Sequence, residues 1–302
     1  MKKKNAAGPG KTPGKKRGFP GVLLRILIVL LILTLIVGTP VFIYGQYTRT
    51  HYKITFYQET SRKVSGNVRL AVVSDIHNRE YGENSGTLLA DLRALKPDLI
   101  LFPGDMVIRE SDDYRAVLNL VSAASGIAPC YGILGNHESE RIYYRNDRDL
   151  PGKFEGAGLK LLRNAREEIR IGRNVIQLIG VEGTAYGFEE YGGRQFMDKT
   201  DIDPSAYCVL MAHIPVLFKT QLSVYGFDLG IAGHVHGGIV NLPFFGGLYS
   251  AEEGFFPEFT AGKYTLSGQQ TLIVSAGLGD SKFFPPRINN TPELVVIDIS
   301  QY

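Results

Sequence analysis

Five apolar runs in this chain each end in a group that can bind a metal ion, and this regularity limits the fold more than any other feature. The runs are "RLAVVSD", "DLILFPGD", "CYGILGN", "YCVLMAH" and "DLGIAGH". The polar residues at or just after their ends are Asp75, His77, Asp105, Asn136, His137, His213, His234 and His236. Ligands gather at the carboxyl ends of strands in open α/β sheets, so these endings predict one shared crevice.

The same runs predict the fold class. Between the first three runs lie two helical patterns, one with leucines 88, 89, 92 and 95 on one side and one over residues 113–125. This alternation is typical of a buried, largely parallel sheet. The second half keeps its strands but has fewer helices. The pattern favours an α/β fold in which two mixed sheets face each other with helices outside, a four-layer α/β/β/α sandwich.

The N-terminal segment has the composition of a basic tail followed by a membrane anchor. Residues 1–19 carry seven Lys or Arg and no acid, and the 19 residues from Ile26 to Tyr44 are uncharged. A run of this length is just sufficient to cross the hydrocarbon of a bilayer as a helix. We therefore predict a basic cytoplasmic tail at 1–21, a transmembrane helix at 22–44, a stalk with an edge strand at 45–67 and a catalytic domain at 68–302.

A cleaved signal peptide and a buried core helix are the two alternatives to a retained anchor. The apolar run is longer than the core of a typical signal peptide, and no A-x-A-like cleavage site follows it. The basic tail and the polar linker on either side argue against a core helix. With the tail in the cytoplasm, the positive-inside rule sends the domain across the membrane. We expect a single-pass membrane protein with an extracytoplasmic domain.

Charge and cysteine content bear on partners and disulfides. The net charge is only +3 and the basic excess is concentrated in the tail, so no extended basic face is predicted. Nucleic acid is therefore not an expected partner. Cys130 and Cys208 both lie in apolar runs, where buried free thiols are commoner than a disulfide.

The polar residues at the strand ends combine carboxylate, amide and imidazole groups without a thiolate. A single Asp after a strand more often begins a turn or caps a helix, and a single His is more often a hydrogen-bonded core residue. Yet five of the six histidines fall at these strand ends. The donor set suits Mn, Fe, Co or Zn. Seven candidate ligands exceed the needs of one ion, so they predict two ions that share a carboxylate, an arrangement that acts on phosphate esters.

The order of these motifs resembles a known enzyme family. D-x-H, then GD about thirty residues on, GNHE about thirty further, a single His and finally GHVH are similar to the blocks of the calcineurin-like metallophosphoesterases. The resemblance covers the chain beyond residue 68. The C-terminal stretch "GLGDSKFFPPRINNTPELVVIDI" further resembles a membrane-anchored bacterial branch of that family, which includes phosphodiesterases and UDP-2,3-diacylglucosamine pyrophosphatases.

The resemblance implies a role for each motif residue. It implies one ion bound by Asp75, His77 and His236, a second bound by Asn136, His213 and His234, and Asp105 as the bridge. A hydroxide between the ions would attack phosphorus, and His137 would protonate the leaving oxygen as a general acid or stabilise the transition state. The cofactors would be two divalent ions from the set Mn, Fe, Zn and Co, with Mn as the first choice.

One position departs from the family pattern. Many relatives carry an acid three residues after the GD aspartate, where it supports the catalytic histidine, and here that residue is Ile108. Two explanations stay open. Either Glu110 replaces the missing acid from a different angle, or His137 is held in another way.

The sequence indicates the substrate class only in outline. Residues 242–264 bring many aromatic residues just after the metal-binding pair. They suit a lipid-linked phosphoester, or they simply cover a sheet edge. We expect hydrolysis of a phosphodiester or a phosphoanhydride, with a membrane lipid as the candidate substrate. A phosphomonoesterase and a catalytically silent envelope-binding protein that retains the fold are the alternatives. A nucleotide-linked lipid at the cytoplasmic face would conflict with the predicted orientation.

Overall fold

A computed structural model describes the chain at residues 19–48, 50–183, 187–242, 244–250, 253–279 and 287–302. Residues 1–18 of the predicted basic tail lie outside the described residues. The chain forms two compact units, Met1–Ile43 and Tyr44–Tyr302.

The described chain begins with one continuous helical segment. α1 covers Phe19–Leu33, a π-helical turn covers Thr34–Gly38, and α2 covers Thr39–Thr48. The π turn ends two residues before Pro40, which has no N–H to donate to the carbonyl four residues earlier. The span Gly21–Thr48 has 28 residues, and its most apolar part is not buried. Its length of about 42 Å exceeds the hydrocarbon thickness of about 30 Å. By length and composition this helix could cross a membrane, a test that a signal sequence also passes.

The second unit contains the strands and the shorter helices. The strands are β1 Lys53–Ser61, β2 Asn67–Val72, β3 Leu99–Phe102, β4 Cys130–Gly132, β5 Leu159–Leu161, β6 Ala165–Ile171, β7 Asn174–Val181, β8 Tyr207–Ala212, β9 Leu229–Ala232, β10 Asn241–Leu242, β11 Gly246–Gly247, β12 Tyr249–Ser250, β13 Gly254–Phe255, β14 Gly262–Thr265, β15 Thr271–Val274 and β16 Glu293–Gln301. The helices are α3 Gly86–Leu95, α4 Arg115–Ser125, α5 Asn136–Tyr144, α6 Leu150–Gly156 and α7 Gly193–Lys199.

Two six-stranded sheets form the centre of this unit. The strand order is β1-β16-β2-β3-β4-β5 in the first sheet and β14-β15-β9-β8-β7-β6 in the second. Most neighbours run parallel. However, β16 is antiparallel to β2 in the first sheet, and β14 and β6 are antiparallel to their neighbours in the second. Both sheets are therefore mixed, which confirms the predicted α/β class.

Apolar clusters on both faces of each sheet define the layers. Successive residues of β2 point to opposite faces, so Leu70 packs between the two sheets while Ala71 packs under the helices. The cluster between the sheets includes Leu178 of β7 and Ile231 of β9, both buried. A further cluster covers the outer face of the second sheet and includes Leu210 of β8. The layers are therefore helix, sheet, sheet and helix, as predicted.

The segment that we interpreted as a stalk contributes a strand to the first sheet. β1 pairs with β16 in parallel, and Lys53 lies opposite Glu293. β16 also pairs with β2, and there Val295 lies opposite Val72. The first residue of β1 and the last residue of β2 therefore lie at the same edge of the sheet. Because β3 and β4 run parallel to β2, they end at this edge too.

Local patterns located most of the elements. The helix predicted at 113–125 begins at Arg115, and its neighbour α3 buries the predicted leucines 88, 89 and 92. No pattern indicated β5, the antiparallel strand β6, the short strands β10 to β14, or the short helices α5, α6 and α7. Both cysteines are free and buried as expected, Cys130 in the first sheet and Cys208 in the second.

Candidate metal centre

The eight predicted strand-end residues converge in one place. Three groups of them have ligand atoms within 4.8 Å of one another. The groups are Asp75, His77 and His236; His77, Asp105 and His137; and Asp105, His213 and His234. Asn136 joins the last group, because its Oδ1 lies 2.9 Å from His234 Nδ1. The structure therefore brings every predicted site residue together.

In the first group, two histidines face each other across a gap suited to a cation. The Nε2 atoms of His77 and His236 are 3.1 Å apart. Two nitrogens that bind one zinc ion at about 2.0–2.1 Å in tetrahedral geometry are about 3.4 Å apart. The Asp75 carboxylate beside them accepts the Ser74 hydroxyl at 2.5 Å and the His234 backbone N–H at 2.9 Å. These contacts fix the carboxylate within reach of the histidine pair.

Asp105 lies between the first group and the last. Its Oδ1 accepts the backbone N–H of His137 at 2.9 Å. Its Oδ2 lies 3.2 Å from His213 Nε2 and 3.8 Å from His77 Nε2. One oxygen of this carboxylate is therefore occupied by the backbone, and the other faces both groups of donors.

The surroundings of His213 test whether a cation fits here. Its Nδ1 lies 2.8 Å from the Pro103 carbonyl oxygen, to which it donates, so Nε2 faces the carboxylates of Asp105 and Asp75 at 3.2 and 3.9 Å. Burial would lower the pKa of His213, but these two carboxylates raise it to about 10. A lone pair opposed to buried carboxylates needs a positive charge between them, either a proton or a metal ion. The donors therefore fit a divalent cation.

The other ionisable groups are in states that suit ligands. Burial lowers the pKa of His77 to about 3, and burial followed by the nearby His77 and Arg287 holds the pKa of His236 well below its usual range. Both imidazoles are therefore neutral at physiological pH, which is the form that binds metals. Burial alone would raise the pKa of Asp105, but His213 and His137 keep it well below the ordinary value. Asp105 is therefore an anion.

The backbone around the centre is strained. Non-glycine residues rarely adopt positive φ. Five of the predicted site residues do so, with φ between 47° and 72°: Asp75, His77, Asp105, His234 and His236. Each such residue costs about 1–3 kcal/mol, and this strain persists at functional sites when the surroundings impose it.

Glycine allows the closest approach of the loops. Gly104, with φ 101°, precedes Asp105, and a Cβ there would lie 2.7 Å from His213 Nδ1 and 2.8 Å from the Gly135 backbone. A Cβ on Gly135 would collide with the Asp105 carboxylate. Any side chain at either position would therefore push apart the loops that carry Asp105, Asn136 and His213.

Glu138 holds two of these loops together, and sequence reasoning assigned it no role. Its carboxylate is fully buried and accepts the backbone N–H groups of Asp105, Val107 and Gly135 at 2.9, 2.8 and 2.8 Å. Burial, and then the charge of Asp105, raise its pKa to about 7. An acid three residues into a helix after a loop is the available sequence signal, because this position commonly accepts an N-terminal N–H.

His137 is held by the backbone rather than by an acid. Its Nδ1 accepts the backbone N–H of Arg109 at 3.1 Å. Glu110 lies with its Oε1 3.3 Å from the Nε of Arg109, so this acid contacts the Arg109 side chain. Of the two explanations for Ile108, the structure shows the second, in which His137 is held in another way. A neutral His137 then carries its hydrogen on Nε2, which lies 3.9 Å from Asp105 Oδ2.

The segment after β15 also reaches the centre, and sequence reasoning assigned none of its residues a role there. The Gly279 N–H donates to the Asp75 carbonyl at 2.5 Å. Arg287, which is 1% exposed, places its Nη2 2.9 Å from His236 Nδ1 and 2.5 Å from the Gly279 carbonyl oxygen. The end of a buried strand at Val274 was the available signal, since the neighbouring strands all end at this centre.

The chain matches the same family of known proteins that its motifs resemble. A family model described as calcineurin-like phosphoesterase matches residues 68–238, which is more than half of the chain. This span contains all eight predicted site residues.

Three relatives are similar over most of their length. The uncharacterized metallophosphoesterase YkuE from Bacillus subtilis is 26% identical, over 76% of this chain and 78% of its own. Phosphodiesterase YaeI from Escherichia coli is 23% identical, over 84% and 89%. The UDP-2,3-diacylglucosamine pyrophosphatase LpxG from Chlamydia trachomatis is 22% identical, over 76% and 83%.

Proposed function

Because this chain belongs to the calcineurin-like phosphoesterase family and is thus a metal-dependent phosphoesterase, we propose that it hydrolyses a phosphodiester or a phosphoanhydride at a centre of two divalent ions. One observation supports this more than any other. Asp105 Oδ2 faces His213 Nε2 at 3.2 Å on one side and His77 Nε2 at 3.8 Å on the other. A single carboxylate oxygen between two donor groups suits two ions that share a ligand.

The two donor groups support an assignment of ligands to the two ions. Asp75, His77 and His236 would hold one ion, Asn136, His213 and His234 would hold the other, and Asp105 would be shared by both. When bound, the ions supply Lewis acidity to the phosphoryl group and lower the pKa of the attacking water. A donor set of oxygen and imidazole nitrogen without thiolate suits Mn, Fe, Zn or Co, with Mn as our first choice.

His137 supplies a hydrogen bond to the reacting phosphate. Because the Arg109 backbone N–H already occupies Nδ1, an imidazolium would have to break that contact. Burial also lowers the pKa of His137. Both effects favour a neutral ring with its hydrogen on Nε2. His137 therefore acts as a donor to an oxygen that gains charge in the transition state, which is the second of the two roles that the family resemblance implies.

The apolar N-terminal helix anchors the enzyme in a membrane, and its substrate is lipid-linked. The 28-residue helical span and the basic residues before it support a single-pass anchor with a cytoplasmic N-terminus and an extracytoplasmic domain. Two relatives, a phosphodiesterase and a pyrophosphatase of a diacylated nucleotide sugar, support a diester or anhydride substrate.

A metal-reconstituted activity screen of the full chain tests this function. Chelated protein is reloaded with Mn, Fe, Zn or Co and assayed on a model monoester, a model diester and lipid phosphoanhydrides. Faster hydrolysis of diester or anhydride than of monoester supports the proposal. A preference for the monoester would make the chain a phosphomonoesterase. Absence of turnover by protein that holds two ions would favour the catalytically silent alternative.

A further inference from the structure

Two small hairpins beside the metal centre carry phenylalanines that face solvent. β10 pairs with β11 and β12 pairs with β13, and we call these two units the aromatic hairpins. Their exposed rings are Phe244 at 104%, Phe245 at 75%, Phe255 at 72% and Phe256 at 57% exposure. Contiguous exposed apolar side chains, such as the pairs Phe244–Phe245 and Phe255–Phe256, mark surfaces that contact another molecule or a membrane.

The described residues of the aromatic hairpins make defined backbone and ring contacts. The β12–β13 pair is closed by the Phe256 N–H, which donates to the Leu248 carbonyl at 2.9 Å. Within it, the rings of Tyr249 and Phe255 meet edge to face, with centroids 5.5 Å apart. Phe244 and Phe256 have positive φ, which is uncommon for a bulky residue. The backbone therefore holds these rings outward at a local conformational cost.

The aromatic hairpins join the metal-binding loop directly. The Leu248 N–H donates to the Gly238 carbonyl at 3.2 Å, and Gly238 follows His236 by two residues. A Cβ on Gly238 would lie 2.5 Å from the Cα of Gly247, so the two backbones are in close contact. A membrane or molecule that contacts the aromatic hairpins therefore lies close to the substrate of the metal centre.

The polypeptide enters the domain at the same edge. The Asn241 N–H at the base of the first hairpin donates to the Ile288 carbonyl at 2.9 Å. Three residues further on, Thr291 Oγ1 lies 3.1 Å from the hydroxyl of Tyr44. Tyr44 lies near the C-terminal end of the helix that we propose as the anchor. Four residues, 49–52, connect α2 to β1, and four residues can span about 14 Å at most. The segment that leads from the proposed anchor into the domain therefore contacts the stretch 288–291, to which the first hairpin is also bonded.

We propose that the aromatic hairpins insert into the lipid surface beside the anchor and so present lipid headgroups to the metal centre. Aromatic rings favour the boundary between headgroups and hydrocarbon. Residues 241–256 contain no Lys or Arg and two acids, Glu252 and Glu253, so the attraction is apolar and does not require anionic lipid. The insertion rests on the membrane anchoring in the proposed function, and its catalytic consequence rests on the phosphoesterase activity.

The absence of tryptophan from the chain allows a direct test. Phe245→Trp places one fluorophore in an aromatic hairpin, and Tyr302→Trp places one at the C-terminal end of the antiparallel strand β16, at the opposite edge of the first sheet. Each full-length variant is reconstituted in phosphatidylcholine nanodiscs with plain or brominated acyl chains. We expect blue-shifted emission and at least twofold quenching by brominated lipid for Phe245→Trp, unchanged by high salt, and neither effect for Tyr302→Trp.

Three outcomes decide the proposal. Emission from Phe245→Trp that matches Tyr302→Trp and is not quenched would overturn it. A blue shift without bromine quenching that grows with the number of copies per disc would overturn it in favour of a second copy of the chain. Loss of quenching at Phe255→Trp when Phe244→Ser and Phe245→Ser are added, with metal content unchanged, would support it.

Activity is measured in the same samples on a soluble diester. If the chain proves inactive while the lipid quenching persists, the proposed reaction fails but the insertion stands. If the diester is hydrolysed and no quenching is seen, the insertion fails while the reaction stands.

Discussion

The Glu138 carboxylate accepts the backbone N–H of Asp105 at 2.9 Å, and this contact ties the loop after β3 to the helix after β4. It also accepts the N–H groups of Val107 and Gly135. Glu138→Gln turns an amide N–H toward at least one of these donors. We expect the free energy of unfolding to fall by about 1–3 kcal/mol and metal affinity to fall roughly 10- to 100-fold. Denaturant and metal titrations measure the two effects.

Glu140→Gln is the matched control on the same helix. Glu140 pairs with the Arg109 side chain at 2.6 Å and is 36% exposed, so its loss should cost no more than about 1 kcal/mol. Metal affinity should stay unchanged. Equal effects of the two substitutions would contradict the role of Glu138.

Metal content distinguishes the bridging carboxylate from a terminal one. Asp105→Ala should lose both ions, because Asp105 Oδ2 faces both donor groups, whereas Asp75→Ala should keep the ion held by His213 and His234. Elemental analysis after dialysis measures the stoichiometry. Asp149→Ala removes a 73% exposed acid that pairs with Lys153 and should keep two ions. Fully active protein free of metal would reject the centre altogether.

His137→Ala should keep both ions while kcat falls about 100-fold or more, the usual scale for loss of one donor to a developing charge. Because we propose a neutral donor, the loss should be similar for a p-nitrophenolate and for an alkoxide leaving group. A much smaller loss with p-nitrophenolate would instead establish His137 as a general acid. His234→Ala should lose metal and fail on both substrates, and metal loss in His137→Ala would refute the assignment.

Metal loading should release a proton from His213. In the metal-free chain the carboxylates of Asp105 and Asp75 raise the pKa of this buried histidine to about 10, so near neutral pH an ion must displace its proton. Apparent affinity should rise with pH up to about 10. Calorimetry in buffers of different ionisation enthalpy counts the protons, and pH-independent affinity would contradict the prediction.

The same shift sets a stability trend for the metal-free protein. The folded pKa lies above the unfolded value of 6.5, so the folded state binds the extra proton between pH 6.5 and 10. The contribution of His213 is complete below pH 6.5 and is lost as pH rises through 10. The free energy of unfolding of chelated protein should therefore fall over that interval, and His213→Gln should weaken the trend.

The proposed orientation predicts where the C-terminus lies. A reporter fused after Tyr302 should behave as extracytoplasmic, and protease added to intact spheroplasts should release the domain. Digestion only after lysis would reverse the orientation. That result would make a nucleotide-linked lipid at the cytoplasmic face compatible with the anchor.

The ligand-type residues were predictable because each follows an apolar strand, and parallel strands bring their carboxyl ends together. Asp75 follows a strand of the first sheet and His213 follows a strand of the second. Each could still be predicted as a site residue from the apolar run that precedes it. The parallel pairing of β1 with β16 had no local signal, because it joins segments from opposite ends of the unit.

The hydrogen bonds that backbone N–H groups donate at the site could not be predicted from the sequence. The N–H that holds His137 belongs to Arg109, and every non-proline residue carries such a group, so residue type gives no sign of it. The Asp105 and Val107 N–H groups that donate to Glu138 have no sequence signal either, and only its bond to Gly135 follows the usual pattern of a helix N-terminus. The sequence shows that position 108 is Ile rather than an acid. That the Arg109 N–H holds His137 instead is visible only in the structure.

The positive φ angles of Asp75, His77, Asp105, His234 and His236 bear on how ions enter and leave. Backbone N–H groups that donate to Asp75, Asp105 and Glu138 hold these loops through protein contacts, so we expect little loop folding around an arriving ion. Exchange of one metal for another should then be limited by shedding of the ion's own water shell. The identity of the bound metal would follow the supply of ions in the surrounding compartment, and one chain could change its chemistry without changing its shape.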